Sequence, residues 1–327
     1  MKELFLKVKK DYMNVLKNTI VPSETYHLED DTWSHTCMVF SQAKSEFMKK
    51  VALLHDLGKP VSKFINENGR VLYTGHEHFS TLIAIDYLMG DKGYLSVEDI
   101  DILYTINYHG ALWQKSERQI RQYFKHNLKL LKNLYEFRKY DTAGNICFED
   151  QEGRDVKVEL EKIEMPKKDP NKPTIHLFIG LPGCGKSTYI KENLNGLHVL
   201  SRDDILLEYG KDKFNETDYN EIWKKLSKED HKEIDKLFEV KKGKLLKARK
   251  DFVVDRTNMS IKSRRKFFNK NFNTKMYVSL IGLDELEKRN KKRGDKNLFY
   301  LWSDMGRGFE LPLLGEDDSV YEIEYIF

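Results

Sequence analysis

The run Gly180-Leu181-Pro182-Gly183-Cys184-Gly185-Lys186-Ser187 has the form G-x-x-x-x-G-K-[ST], and it constrains the chain more than any other feature. It follows the apolar stretch Ile175 to Ile179 and precedes a helix-compatible segment, the strand–loop–helix context of a phosphate-binding loop. In such a loop the backbone around Gly180, Gly183, Cys184, Gly185 and Thr188 and the helix N-terminus hold a triphosphate. Lys186 then reaches the β- and γ-phosphates, and the Ser187 hydroxyl ligates Mg²⁺. ATP with Mg²⁺ is the expected ligand.

A phosphate loop needs a parallel sheet around it, and the sequence supplies one only in its second half. Short β-rich runs at 175–179, 197–200, 252–255 and 276–282 alternate there with helical patterns, as in α/β folds. Earlier, apolar residues recur at helical spacing near 2–19, 32–56, 76–90, 97–109 and 117–140. One hairpin is expected, where Asn68-Gly69 separates Phe64-Ile65 from Val71-Leu72. Between Gln151 and Pro173 the chain is charged and carries Pro166, Pro170 and Pro173, which reads as a linker. The fold class expected is therefore two-domain: a mainly α-helical domain over 1–155, a linker over 156–173, and an α/β domain with a parallel sheet over 174–327.

No apolar run approaches the length of a bilayer span, and charges interrupt the start Met1-Lys2-Glu3-Leu4-Phe5-Leu6-Lys7. A soluble, cytoplasmic protein with no membrane partner is expected. Cys37, Cys147 and Cys184 lie far apart, so neither a disulfide framework nor a zinc ribbon is indicated. The net charge of +4 is too small to identify a nucleic-acid partner, but Lys and Arg are dense over 241–250, 262–270 and 288–296.

Phosphoryl transfer to a hydroxyl needs a carboxylate to orient or deprotonate the acceptor and cations over the developing charge. Ser201-Arg202-Asp203-Asp204 follows the second β-run, at the carboxyl end of a strand where ligands bind in open α/β sheets. Asp203 is the candidate general base, with an N-cap role for Asp203 or Asp204 as the structural alternative. Asp255, in Val254-Asp255-Arg256-Thr257-Asn258, ends another strand pattern and suits Mg²⁺ or its water shell. Arg289 and Arg293 stand four apart on one helical face before Gly294, as in a lid that delivers arginines to phosphates.

Together, the phosphate loop, Arg202-Asp203-Asp204, Asp255-x-Thr257-Asn258 and Arg289-Asn290-x-x-Arg293-Gly294-x-Lys296 resemble the phage-type 5′-OH polynucleotide kinase family over about half the chain. The resemblance implies that Asp203 is the base for the 5′-hydroxyl, that Lys186 and Arg293 stabilise the transition state, and that Arg289 supports the lid. Asp255, Asn258 and Arg202 are supporting residues. One departure stands out: Leu206 occupies the position of an arginine that helps bind the acceptor phosphate in the phage prototype. Arg202 or Arg256 is the candidate substitute.

Seven of the ten histidines lie within the first 126 residues. Their centre is His55-Asp56-Leu57-Gly58-Lys59. Adjacent His and Asp at a helix end can share one metal ion, Gly58 allows a sharp turn, and Lys59 can face a substrate phosphate. His76 and His78, two apart, point to different helix faces, and His76 is favoured. With His35, His109 and Asp141, this string resembles the HD phosphohydrolase superfamily over roughly residues 25–150. The resemblance implies a primary metal site of His35, His55, Asp56 and Asp141, with His76 and His109 holding a second ion. Imidazole and carboxylate donors suit Mn, Fe, Co, Ni, Cu or Zn without choosing among them. His27 and His126 are read as surface histidines.

The whole chain resembles bifunctional HD-domain polynucleotide kinases. That resemblance implies RNA ends, or DNA ends, as substrates, removal of 2′,3′-cyclic, 2′- or 3′-phosphates, and a separate ligase acting downstream. Two rival readings are a nucleoside or small-molecule kinase fused to a nucleotide phosphohydrolase, and a non-catalytic sensor of nucleotide and metal.

Overall fold

Serines start six of the helices. Ser45, Ser96, Ser116, Ser201, Ser227 and Ser260 each accept the backbone N–H three residues ahead. At Ser96, Ser116, Ser227 and Ser260 the third residue returns the bond to form a capping box. Each cap contributes roughly 0.5–2 kcal/mol, enough to set where a helix begins. The cap at Ser201 also settles the local alternative: Asp203 and Asp204 stand inside the first helical turn, and neither is the N-cap.

The computed structural model describes residues 1–20, 31–144, 163–293 and 305–327. They form two units, one of Met1–Met165, Leu280–Glu316 and Phe327, the other of Pro166–Ser279 and Asp317–Ile326. Among the described residues, no helix is long and apolar enough to cross a membrane.

The first unit is helical. Its elements are α1 (Lys2–Lys17), α2 (Thr32–Gln42), α3 (Glu46–Leu54), α4 (Lys59–Ser62), the hairpin β1 (Phe64–Ile65) and β2 (Val71–Leu72), α5 (His76–Met89), α6 (Val97–Tyr108), α7 (Ala111–Gln114), α8 (Glu117–Phe124) and α9 (Leu128–Ala143). The hairpin pairs Phe64 with Leu72 and Ile65 with Val71. Two helical stretches expected to be continuous are broken, 32–56 at the Ser45 cap and 117–140 before Leu128. The apolar period survives both breaks because the flanking helices bury their stripes in one core. That core includes Val39, Val51, Leu54, Ile106, Phe124 and Phe137.

The second unit holds a five-stranded sheet. The chain runs β3 (Thr174–Ile179), α10 (Lys186–Asn193), β4 (His198–Ser201), α11 (Arg202–Phe214), α12 (Tyr219–Lys225), α13 (Lys228–Ala248), β5 (Phe252–Asp255), α14 (Ile261–Arg264) and β6 (Asn273–Ser279). After α15 (Leu283–Arg293), which lies in the helical unit, the chain returns as β7 (Val320–Ile326). Strand order is β4-β5-β3-β6-β7, and every pairing is parallel. The phosphate loop therefore leaves the central strand, with β5 on one side and β6 on the other, where the winding of the sheet reverses. Phe178 stacks on Tyr277 with centroids 4.6 Å apart, packing with Ile190 and Val253.

Several expectations needed revision. The fourth strand runs over Asn273–Ser279 rather than 276–282, and Leu280 to Gly282 leave the sheet. The last residues of the expected linker are bonded into the α/β unit. Asn273 Oδ1 accepts the Asp169 N–H at 2.9 Å, and its amide donates to the carbonyls of Asp169 and Lys172 at 2.8 Å each. Residues 280–316, expected within the second domain, pack with the helical unit. There the Asn107 amide donates to the Phe309 carbonyl at 2.8 Å and accepts the Leu311 N–H at 2.9 Å. Tyr104 donates to the Pro312 carbonyl at 2.6 Å, and Tyr108 donates to that of Leu311.

Candidate functional site

In the helical unit, five helices deliver six donors to one buried spot. His35 comes from the middle of α2, His55 and Asp56 from the end of α3, and His76 is the first residue of α5. His109 caps the end of α6, and Asp141 comes from α9. All except the half-buried His76 are buried. Asp56 joins two sets. Its Oδ2 lies 3.2 Å from His55 Nε2 and 3.9 Å from His35 Nε2, while its Oδ1 lies 3.3 Å from His76 Nε2. Asp141 Oδ1 is 3.0 Å from His35 Nε2 and 3.6 Å from His55 Nε2. His76 Nε2 and His109 Nε2 face one another at 3.1 Å. The ligand atoms of His35, His55 and Asp56, and those of Asp56, His76 and His109, thus form two compact groups that share a carboxylate.

The ring tautomers test whether these residues fit a metal. Nδ1 of His55, His76 and His109 lies 2.8 Å from the carbonyl oxygens of Ala52, Tyr73 and Ile106, respectively. A carbonyl only accepts, so each Nδ1 carries the proton and each Nε2 presents a lone pair inward. Two lone pairs 3.1 Å apart repel unless a cation lies between them. Buried His55 Nε2 likewise makes no hydrogen bond. Donors about 2.1 Å from one ion and at right angles lie about 3.0 Å apart, close to the spacings here. The residues fit divalent transition metals.

Both buried carboxylates depend on positive charge around them. Burial works to raise the Asp56 pKa, yet His55, Lys59 and His76 outweigh it and hold the carboxyl well below its usual range. Burial opposes ionisation of Asp141 too, and its hydrogen bond to His35 with the charges of His55, His35 and His109 reverses the balance. Burial pushes the His109 ring down to about 4, aided by His76 and His55. Lys59, itself buried, has its ammonium 2.7 Å from Asp56 Oδ2. His78 turns away and bonds the Arg307 carbonyl at 2.7 Å.

Gly58 sits in the turn between α3 and α4, but its backbone angle does not require glycine. Its φ of −82° is open to any residue. What requires glycine is space, since a Cβ there would lie 2.3 Å from the His76 carbonyl oxygen. The close approach of the α3–α4 corner to α5 brings Asp56 and His76 together. Glu77, buried with a carboxylate oxygen 3.3 Å from His76 Nδ1, was missed in the sequence, although its place beside His76 was the signal.

In the α/β unit, the phosphate loop turns through Gly183 and Gly185 at φ of 83° and 95°, a region glycine enters without steric cost. Lys186 Nζ donates to the carbonyls of Gly180 and Leu181 at 3.0 and 2.9 Å. Ser187 Oγ donates to Asp255 Oδ2 at 2.8 Å, which joins the two expected Mg²⁺ contacts across β3 and β5. Burial raises the Asp255 pKa against the pull of Ser187 and Lys186, and Asp203 and Asp204 add to the rise. Ser201 pairs with Asp255 in register, so Asp203 follows at the same edge of the sheet. Asp203 is exposed and accepts from the Tyr219 hydroxyl at 3.2 Å. Arg202 donates to Asp235 at 2.8 Å.

Other expected residues take different places. Asn258 is buried at φ 43°, and its amide donates to the Phe178 carbonyl at 2.8 Å. It shapes the turn after β5, helped by the fully buried Arg264, which donates to the Asn258 and Met259 carbonyls. Leu206 is fully buried, and Thr188 is exposed on α10. Arg289 lies on α15 in the helical unit and donates to Glu285 at 2.9 Å. The Arg293 side chain, the rest of the lid string (Gly294, Asp295, Lys296), His27 and Cys147 fall outside the described residues.

A family profile described as an AAA domain matches residues 175–305. The α/β unit is accordingly a P-loop kinase-like domain, and the match continues past β6 through α15. No curated protein matches the chain. Among solved structures, a chain of the Pnkp1/Rnl/Hen1 RNA repair complex is similar at 24% identity with a TM-score of 0.32. The similarity covers 39% of this chain and 40% of that one, so this chain spans less than half the length of that relative.

Proposed function

We propose that the chain is a bifunctional nucleic-acid end-healing enzyme. Its α/β unit transfers the γ-phosphate of ATP to 5′-hydroxyl polynucleotide ends, and its helical unit removes 2′,3′-cyclic, 2′- or 3′-phosphates. The observation that carries this reading is one chain holding both a P-loop site with an exposed carboxylate, Asp203, and two His/Asp donor sets joined by Asp56.

On the kinase side, Lys186 neutralises the transferred phosphate while Ser187 and Asp255 hold Mg²⁺. Asp203, at the carboxyl edge of the sheet, accepts the proton of the attacking 5′-hydroxyl. Arg289 and Arg293 belong to the lid, and Arg202 or Arg256 meets the acceptor phosphate. On the hydrolase side, His35, His55, Asp56 and Asp141 would hold one divalent ion, and Asp56, His76 and His109 a second. What such ions supply when bound is charge neutralisation at a phosphoryl oxygen and acidification of water. Asp56 holds the Lys59 ammonium at the rim of these donors, where it serves an incoming phosphate.

The chemistry of RNA ends supports joining the two activities. Cleavage by transesterification leaves a 5′-hydroxyl and a 2′,3′-cyclic phosphate, and a ligase needs both remade. RNA is therefore the favoured substrate, and a separate ligase is the downstream partner. The test uses an RNA oligonucleotide with both cleaved ends, γ-labelled ATP, Mg²⁺ and Mn²⁺. Label at the 5′ end with loss of the 3′ phosphate supports the reading. Failure to label any polynucleotide, with label entering free nucleosides, overturns it in favour of a small-molecule kinase, whose salt dependence is also shallower.

A further inference from the structure

Beside Asp203 lies a run of aromatic rings. Tyr219 and Trp223, four apart on α12, stack with centroids 6.1 Å apart and planes 16° from parallel. Trp223 meets His231 of α13 edge-on at 4.9 Å. The Tyr219 hydroxyl is bonded to Asp203, so the ladder begins one hydrogen bond from the proposed base. Trp223 is 48% exposed, and Ile222 beside it is fully buried in the same short helix. Ile222 anchors α12 to the core, and the indole is left facing water.

Cations flank the ladder. The Arg202 guanidinium lies 3.5 Å from His231 Nδ1. Arg256 lies 4.8 Å over the ring of Phe238, close enough to Arg202 for the two cations to repel. A flat exposed ring near guanidiniums is how proteins hold single-stranded nucleic acid, by stacking on the base and neutralising the phosphate.

We propose that Trp223 is the stacking platform for a nucleobase at the 5′ end of the acceptor strand, with Arg202 and Arg256 flanking the phosphate that follows it. This rests on the polynucleotide-kinase reading above and names its acceptor subsite. Tyr219 extends that platform toward Asp203 and positions the carboxylate toward the 5′-hydroxyl. Stacking is indifferent to base identity, so the subsite takes any sequence and needs an unpaired end.

The test is steady-state kinetics with a single-stranded 5′-hydroxyl oligonucleotide and a matched one lacking its first two bases, using wild type, Trp223→Ala and Trp223→Phe. Trp223→Ala should raise the acceptor KM about tenfold or more on the intact strand and leave the ATP KM in place, while Trp223→Phe stays within about threefold of wild type. On the base-free strand, wild type should already show the raised KM, and Trp223→Ala should add nothing. An unchanged KM in Trp223→Ala, or an equal rise on both strands, overturns the stacking role while leaving the kinase reading intact. If wild type phosphorylates neither strand, the polynucleotide reading falls and the subsite falls with it.

Discussion

Asp86 Oδ2 accepts the backbone N–H of Leu283 at 2.7 Å, across 197 positions of sequence. A carboxylate on α5 thereby caps α15, the helix that carries Arg289. The same α5 begins with His76, one of the donors around Asp56. The helix that resembles a kinase lid is thus started by the scaffold of the candidate metal centre.

The fit at this cap is tight, because a Cβ on Gly282 would lie 1.8 Å from Asp86 Oδ1. Gly282→Ala should expel the carboxylate and lower stability by about 1–3 kcal/mol. Asp86→Ala should remove the same cap, so the double variant should be no worse than the poorer single one. Urea denaturation of all three checks this, and full additivity would show that the two residues do not act together.

Burial pushes the Asp86 carboxyl up to about 6, with Asp284 adding to the rise and the Leu283 N–H opposing it. In the unfolded chain this group titrates at about 4. Between those values the folded state keeps a proton that the unfolded state has lost, so ionising Asp86 removes stability as pH rises through that window. Asp86→Asn keeps an acceptor for Leu283 and cannot ionise. Its stability relative to wild type should climb from pH 4 to pH 7, as thermal melts across that range would show.

Asp56 serves both donor sets, whereas His109 serves one. Asp56→Ala should abolish release of 3′-terminal phosphate and strip the helical unit of bound transition metal, and His109→Ala should lower the bound metal only in part. Elemental analysis of dialysed protein reads the two outcomes directly. Equal loss in both variants would show that the ions are not held separately.

Lys186→Ala and Asp203→Ala should each abolish 5′ phosphorylation while phosphate release continues. For Asp203, the loss expected of a general base is about 10²- to 10⁴-fold in kcat. Assaying both activities on one preparation settles it, and joint loss would point to a shared site or a folding defect.

Asn258 combines a left-handed backbone with a buried amide bonded to Phe178. Asn258→Ala loses the bond and strains φ, whereas Asn258→Gly loses only the bond. The alanine variant should fall by about 2 kcal/mol or more and the glycine variant by less. Reversal of that order in denaturant melts would show that backbone conformation is not what selects asparagine here.

What could be read from sequence was what repeats or clusters by residue type. Phe252-Val253-Val254 and Leu177-Phe178-Ile179 are continuous apolar runs because strands buried on both faces have little polar side. The turn at Asn68-Gly69 is written in its own two residues. β7 was invisible because its segment, Val320-Tyr321-Glu322-Ile323-Glu324, mixes acids with apolar residues. Those acids pair with Lys275 Nζ at 2.7 and 2.8 Å, partners that no local pattern reveals. His35, His55, Asp56, His76, His109 and Asp141 were legible as a set, yet the division of Asp56 between two groups depends on how α3 meets α5 in the fold. The docking of 280–316 was hidden for a different reason. Tyr104, Tyr108 and Asn107 bind main-chain groups of residues 309–312, and a carbonyl has the same chemistry whichever residue bears it.

β6 and β7 are neighbours in the sheet, yet between them the chain visits the helical unit and leaves Phe309, Leu311 and Leu313 there, at 1% exposure or less. A gene divided before Thr174 would strip one product of part of its interior and burden the other with greasy sequence it cannot cover. A cut at the linker therefore separates the helical half from its own buried side chains, and a researcher who wants that half alone has to graft residues 280–316 back onto it.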